Sequence, residues 1–364
     1  MSEVEFRFGE GLISGYVAAF SGLLSLAGVF CFLFPEYLTT ASLRASYNVE
    51  YLRLLLLAML ILSFVFGAMN FLFEKGRSPA IIGLSSALIA TLLGGPYVEV
   101  TATEYKEFTL GLDWFILSIL FSALIFIPLE KSYPKYKSQK MLRDEWQTDL
   151  AYFAVNYLLV SIILLVSLNI APLFFGWAVS DTLQGIVRSW PVAVQFIAVI
   201  FIADLAQYIV HRSYHHVPFL WKIHAVHHSA KALDWLASSR IHFFEILITR
   251  SAIFLPLYLL GFSHEALAGY IALFHFQAVF IHANFGMNFG FLNYILTTPQ
   301  YHHWHHSDRE EARDINYAIN IPVIDMLFGT FHLPKDEWPE TYGVQGKPVP
   351  RGIIRQQVYP FSGI

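Results

Sequence analysis

The chain has 364 residues, of which 56% are hydrophobic, 16% aromatic and only 14% charged. A soluble domain carries about a quarter charged residues, and the mean hydropathy of this chain is high, at +0.52. The formal net charge of −4 does not suggest a nucleic-acid partner, and the single cysteine, Cys31, excludes a disulfide framework or a CxxC site. The composition therefore predicts a polytopic membrane protein.

Uncharged or nearly uncharged runs recur along the chain at the length that a membrane helix needs, about 20 apolar residues. Six long runs cover residues 11–34, 54–73, 79–98, 108–129, 150–180 and 189–210. The fifth run must bend or end near Pro172, and two shorter runs, at 251–263 and 266–281, predict a tight or re-entrant hairpin. The predicted fold class is an all-α polytopic membrane protein with about eight membrane-embedded helices.

The distribution of charge between these runs predicts their orientation. The loop 130–147 is the most basic in the chain and the loop 99–113 is acidic, so we expect the first in the cytoplasm and the second outside. Continued alternation places residues 211–245, and those after about 282, in the cytoplasm. The predicted parts are an N-terminal helical module at 1–144, a histidine-rich domain at 145–334 and a cytoplasmic tail at 335–364.

The histidines are confined to one part of the chain: all fifteen lie between His211 and His332. They form an HxxxH unit in "HRSYHH" and HxxHH units in "HAVHH" and "HHWHH". Residues three and four apart share a helix face, and imidazole suits iron, zinc, copper and nickel. One such unit alone is more often an amphipathic surface pattern, but three predicted on one side of the membrane favour a metal-binding cap. Eight histidines suit two ions, and His282 is a candidate ninth ligand. The eight are His211, His215, His224, His227, His228, His302, His305 and His306.

Other polar residues near these units are candidates for supporting roles. Asp204 and Tyr208 share a helical stripe with His211 and His215, and a carboxylate inside a membrane helix normally marks a function or a partner. We expect Asp204 to accept the second N–H of a ligand histidine. Arg240, His242 and Glu245 are weaker candidates, which form a supporting network, contact a lipid headgroup or simply begin a helix. His275 is a candidate for the core or for the lining of the active site. His216 and His303 are expected to face solvent or substrate.

The pattern HxxxH, HxxHH, HxxHH resembles that of the sterol desaturase / fatty acid hydroxylase superfamily of membrane di-iron enzymes. The stretches "HRSYHHVPFLWKIHAVHHSA", "TTPQYHHWHHS" and the strand-like "INYAINIPVIDMLFGTF" resemble family blocks, within roughly residues 145–334. The resemblance implies that the eight histidines are ligands and that His282 matches a further family histidine. Ala318 stands where the family commonly has glycine, and residues 1–130 add nothing to the match.

What the resemblance implies is a lipid oxidoreductase that uses two iron ions and O2, with zinc as a possible substitute after purification. Hydroxylation of a fatty acyl, sterol or other membrane lipid is the favoured reaction, and desaturation at the same site is the alternative. The sequence has no flavin, nicotinamide or haem motif, so we expect an external donor, either a ferredoxin or a cytochrome b5-like protein with its reductase. Basic residues near the units are expected to steer that donor: Arg212, Lys222, Lys231 and Arg240.

Two other functional classes are less well supported. A zinc hydrolase would show HExxH, but the one His-Glu pair, His264–Glu265, has Ala268 where the second histidine belongs. A histidine-rich metal transporter would place its ligands near the bilayer midplane, whereas these units fall at or beyond predicted helix ends. The absence of a dilysine or KDEL-like signal favours a bacterial inner membrane over the endoplasmic reticulum.

Overall fold

The computed structural model describes residues 13–74, 76–100, 109–335, 337–346 and 348–362. Most of the acidic loop 99–113 lies outside the described residues. Across the described ranges the structure is helical and contains no strand, only an isolated bridge between Ser307 and Tyr342. Contacts divide the chain into two compact units, one up to Ile119 with Tyr157–Ser161, the other Leu120–Asn156 with Ile162–Ile364. The predicted all-α fold class is confirmed.

The first unit is built from long apolar helices that pack through small residues. A Cβ atom added to Gly22 would lie 2.4 Å from the carbonyl oxygen of Gly83, so no larger residue fits at that crossing. The Ser63 hydroxyl donates to the carbonyl of Ala18 at 2.9 Å. In lipid, such close contact supplies the packing energy that the hydrophobic effect cannot. The helices are α1 (Ile13–Leu33), α2 (Pro35–Leu38), α3 (Ala41–Arg44), α4 (Val49–Phe73), α5 (Ser78–Leu92) and the start of α6 (Leu112–Ser132).

Within the described part of the chain, the second unit contains the end of α6 and all or most of ten further α-helices, several of them short. These are α7 (Trp146–Leu158), α8 (Val160–Phe175), α9 (Asp181–Arg188), α10 (Val192–His216), α11 (Pro218–His228), α12 (Phe243–Leu260), α13 (His264–Phe280), α14 (Pro299–His305), α15 (Val323–Phe328) and α16 (Ile353–Val358). Its apolar core joins α10, α12 and α13 through residues such as Val199, Leu257 and Tyr270. Gly261, with φ +66°, ends α12, and the Ser263 hydroxyl caps α13, which makes the predicted hairpin sharp.

Among the residues that the structure describes, six helices are long and apolar enough to cross a membrane: α1, α4, the segment Ser78–Tyr97 that contains α5, α6, α10 and α12. A seventh candidate, Leu165–Ala178 with α9, is bent by 116°. The count is thus slightly below the predicted eight. The physical reasons are that α13 has only 17 residues and that the run 150–180 is divided into α7 and α8. A multi-pass membrane protein is supported, while the sidedness and the domain boundaries stay predictions.

We predict that the basic loop faces the cytoplasm. In a Cys31→Ser background, Lys137→Cys should resist an impermeant maleimide in intact cells and react after lysis, because basic loops are retained inside. Asp181→Cys is the matched control. Asp181 begins α9, just before the N-terminal end of α10, and a cysteine there should react from outside. Labelling of position 137 in intact cells would overturn the orientation.

Candidate metal centre

Three helices and one loop bring the predicted histidines together. α10 carries His211 and His215 near its C-terminus, and Pro218 at the first position of α11 restarts the helix after one linking residue. α11 then carries three histidines, and Pro299 similarly begins α14, which leads to the last three. His282 follows the end of α13. The interrupted helices therefore point their histidines into a common interior.

The nine histidines form two groups, and within each group one potential ligand atom per residue lies within 4.8 Å of the others. The five-histidine group is His211, His215, His224, His228 and His305, and the four-histidine group is His227, His282, His302 and His306. The two groups adjoin, because the rings of His228 and His306 stack with centroids 4.4 Å apart. The arrangement provides two neighbouring places for a metal ion.

Outer hydrogen bonds fix the tautomers of five of these imidazoles. A carbonyl or carboxylate oxygen can only accept, so the Nδ1 atom facing it must carry the proton and leave Nε2 with a free lone pair. The acceptors are Tyr317 O for His211 (2.7 Å), Glu245 Oε1 for His224 (2.8 Å), Arg240 O for His227 (3.1 Å), Ala278 O for His282 (2.7 Å) and Ile315 O for His305 (2.8 Å).

The unprotonated nitrogens face one another. Nε2 of His211 lies 3.1 Å from Nε2 of His224, and Nε2 of His227 lies 3.1 Å from Nε2 of His282. Neither contact has a proton to share, so each is repulsive without a cation. Two nitrogens that bind one ion at about 2.1 Å are separated by roughly 3.0 to 3.4 Å. The donor set therefore fits a metal ion in each group.

Burial keeps the imidazoles in the form that binds metal. Desolvation lowers the pKa of His227 to about 4, and it lowers the pKa of His305 and His306 well below the ordinary value. These side chains are neutral near pH 7, as ligation requires. Nε2 of His305 is buried and has no hydrogen-bond partner among the described residues. A metal ion would satisfy that nitrogen.

The weaker candidates around "SSRIHFFE" have separate roles. Glu245 contacts His224 directly. The Arg240 carbonyl orients His227, while its guanidinium is fully buried and pairs with Asp149 (2.5 Å) and Glu145 (3.1 Å). The expectation that Arg240 steers a donor protein is therefore wrong, because no partner can reach it. His242 is the N-cap of α12 and its Nε2 contacts the Gln357 carbonyl.

Asp204 was expected to accept a hydrogen bond from a ligand histidine, but it does not. Its carboxylate accepts backbone N–H groups of residues 319–321, at 2.8 to 3.2 Å. A second buried carboxylate, Asp325, accepts the N–H groups of Tyr317 and Ala318. The "INYAINIP" stretch is consequently a loop and not a strand, and Ala318 is absent from the described non-glycine residues with positive φ, so alanine fits there. Both acids act on the histidines through this loop, whose Tyr317 carbonyl orients His211.

The remaining candidates lie around the two groups. Tyr208 is buried, and its hydroxyl lies 3.0 Å from the Thr330 hydroxyl. His275 lies half-buried on α13, outside both groups, and His216 is exposed. His303 is fully buried, contrary to expectation: Nδ1 contacts the Tyr342 hydroxyl at 2.7 Å and Nε2 contacts the His282 carbonyl at 3.3 Å. It therefore supports the backbone of the four-histidine group.

Comparison with known proteins agrees with this geometry. Residues 196–330 match the fatty acid hydroxylase family. This stretch of the chain is therefore similar to fatty acid hydroxylase domains. This confirms the superfamily resemblance, and the matched domain contains all nine histidines of the two groups.

Three relatives show the range of proteins that share this domain. Ornithine lipid hydroxylase OlsE of Rhizobium tropici is 36% identical over 173 residues, which are 48% of this chain and 52% of the relative. Human alkylglycerol monooxygenase is 30% identical over 37% of this chain and 30% of its own length, and rat methylsterol monooxygenase 1 is 28% identical over 35% and 43%. The chain thus spans about half or less of the relatives it matches. No solved structure matches it.

We predict that Glu245→Ala weakens metal binding by about 10- to 100-fold, as is typical when an outer acceptor of a ligand histidine is lost. Glu245→Gln should lose less, because its amide oxygen still accepts from His224. The measurement is metal retained by the purified protein during titration with a chelator, with the exposed Glu265→Gln as control. Wild-type retention by Glu245→Ala would show that this contact does not support the ligand.

We predict that Asp204→Ala lowers both thermal stability and metal retention while the protein still inserts into the membrane. Each buried N–H left without an acceptor costs about 1–3 kcal/mol, and the loosened loop carries the carbonyl that orients His211. Thermal unfolding in detergent and metal content are the readouts, with the exposed Glu310→Ala as control. An unchanged midpoint together with unchanged metal content would contradict this role.

Proposed function

We propose that this chain is a membrane-bound, O2-dependent lipid hydroxylase whose two histidine groups each hold one iron ion. The observation that carries the proposal is the pair of adjoining groups with unprotonated nitrogens directed inward. Such an all-imidazole donor set also suits zinc, copper or nickel, and iron is preferred because of the family to which the domain belongs. Zinc is an expected contaminant of purified protein, since it competes well for the same nitrogens.

A bound pair of irons would supply the O2 chemistry that breaks an unactivated C–H bond, which no side chain can do. The residues of the chain contribute orientation and dryness. Glu245 keeps the proton of His224 on its outer nitrogen, and the carbonyls of Arg240 and Tyr317 do the same for His227 and His211. The burial of the groups excludes bulk water from the reacting atoms.

A lipid is the substrate class that we propose. The relatives are named for activity on an ornithine lipid, alkylglycerols and methylsterols, which share an apolar portion rather than a headgroup. Two of the membrane-crossing candidates, α10 and α12, overlap residues 196–330, which supports a substrate that is present in the membrane. The proposed substrate class includes both fatty acyl lipids and sterols.

An external electron donor completes the proposed reaction, since reduction of O2 to the level of an alcohol and water requires two electrons beyond those of the C–H bond. A ferredoxin or a cytochrome b5-like protein with its reductase fits this need. With Arg240 buried, exposed lysines such as Lys231, three residues after His228, are better candidates for the contact. The bacterial inner membrane and a cytoplasmic metal centre are part of the same proposal.

A histidine-rich transporter is a weaker proposal. A transported ion must leave its site, and sites of this type lie where discontinuous helices meet near the midplane. Here five histidines are fixed by outer hydrogen bonds, and the groups lie at the end of α10. Such rigidity suits a resident cofactor.

We predict that the purified protein, given a reduced ferredoxin, ¹⁸O2 and membrane lipids, adds one labelled oxygen to a lipid. Hydroxylation is expected over desaturation because it needs only one C–H bond near the metals, whereas desaturation needs two vicinal hydrogens in succession. Mass spectrometry of the lipids is the measurement, and His305→Ala is the inactive control. Loss of two hydrogens without label would identify a desaturase, and an unchanged lipid profile with several donors would contradict the proposed function.

A further inference from the structure

Two segments of the second unit expose large apolar side chains although neither forms a membrane-crossing helix. They are residues 287–296 and α15, and the exposed fractions of Phe291 and Leu327 reach 72% and 69%. The sequence from 283 to 307 has no charged residue, and between 315 and 334 the one charge is that of Asp325, which is fully buried. An uncharged apolar surface of this kind is uncommon in contact with water and indicates a binding surface.

The depth of this surface follows from its contact with α10. That helix has 25 residues and is about 37 Å long, more than the thickness of the bilayer core. Twelve of its residues precede Asp204 and twelve follow it, so Asp204 lies at the midpoint. The backbone N–H groups of Ile319 and Ile321 donate to its carboxylate at 3.1 and 2.8 Å. The loop before α15 therefore reaches the depth of the middle of α10.

A second polar side chain fastens the other segment at similar depth. The amide of Gln277, on α13, donates to the carbonyls of Thr297 (2.5 Å) and Ile319 (3.2 Å). The N–H of Thr297 in turn donates to Asn320 at 2.9 Å. Irregular backbone is tolerated at membrane depth only where its polar groups are paired within protein. Asp204 and Gln277 provide that pairing, while the apolar side chains of both segments face outward.

We propose that residues 287–296 and 323–328 are re-entrant and lie among the acyl chains of the bilayer, forming the surface by which a lipid tail approaches the metal centre. This modifies the expectation that everything after about residue 282 lies in the cytoplasm. The occupant is a lipid acyl chain, because Phe328 of this surface stacks on Tyr208 of α10, a membrane-crossing candidate whose adjacent Ile209 is exposed. The exposed side chains of the two segments include Phe291, Tyr294, Ile295, Leu296, Leu327 and Phe328.

The same stretch of chain connects this surface to the histidines. Phe328 stacks on Tyr208 with ring centroids 4.9 Å apart, and the loop that leads into α15 supplies the carbonyls of Ile315 and Tyr317 that orient His305 and His211. Phe328 on this surface is thus connected to His211 of the five-histidine group through the rings of Tyr208 and Tyr317. The role of the surface in substrate entry rests on the proposed function, whereas its position in the bilayer does not.

The position is tested with fluorescent depth probes. In a Cys31→Ser background, Phe291→Cys and Leu327→Cys, one on each segment, are labelled with an NBD fluorophore and reconstituted in phosphatidylcholine vesicles. Nitroxide on the lipid acyl chain should quench both probes more strongly than nitroxide on the headgroup, and iodide should have little effect. Glu310→Cys, on an exposed charged turn, is the control that iodide should quench. Iodide quenching of both segment probes at the level of the control would overturn the inference.

The approach of a lipid tail is tested by crosslinking that does not depend on turnover. A phosphatidylcholine with a diazirine in its acyl chain should label peptides that contain 287–296 and 323–328, and Leu327→Lys should reduce labelling of the second peptide. Crosslinking and deep probes without any lipid oxidation would leave this inference intact and contradict the proposed function. Lipid oxidation with water-exposed probes and no crosslinking would support the proposed function and contradict this inference.

Discussion

Histidine lone pairs repel one another unless a cation lies between them, and the second unit depends on resolving this repulsion. At least five imidazoles present unprotonated Nε2 atoms inward because their outer nitrogens donate to protein oxygens. The distance between two such nitrogens is 3.1 Å, which matches the separation of two nitrogen ligands bound to one ion. We therefore propose that folding prepares two cation sites, and that metal binding stabilises the folded state by the free energy that this repulsion otherwise costs.

Buried acidic side chains hold the imidazole rings in their orientations. Glu245 acts directly on His224, whereas Asp204 and Asp325 act through the loop 315–321 and its carbonyls. The charged pairs of Arg240 with Asp149 and Glu145 likewise fix the backbone that orients His227. Asp204 and Asp325 each accept several hydrogen bonds that replace lost hydration, which is the condition under which a buried charge is tolerated. The metal centre and its support are thus one network across several helices.

Much of this arrangement could be predicted from the sequence, because histidine at helical spacing leaves a clear pattern. All nine predicted ligands lie in the two groups, although the pattern does not reveal that His227 separates from its neighbours His224 and His228. The backbone carbonyls that orient the rings leave no sequence signal. Asp325 does leave a sequence signal, because it is a lone carboxylate within the apolar stretch "INIPVIDMLF". The same kind of signal indicates Asp204. Helical spacing does not predict the partner of Asp204, because it identifies neighbours on one helix and not the loop that packs against that helix.

The number of metal ions bound per chain decides whether the two histidine groups are two metal sites. The protein is purified without chelator from cells supplied with iron, and metal per chain is measured by mass spectrometry beside His224→Ala and His282→Ala, one variant for each group. We expect close to two ions per chain in the wild type, with iron as the metal. Each variant should lose about one ion, because each substitution removes one histidine ligand from one of the two groups. A single ion per chain in the wild type, or retention of both ions in the two variants, would contradict the existence of two histidine-bound sites.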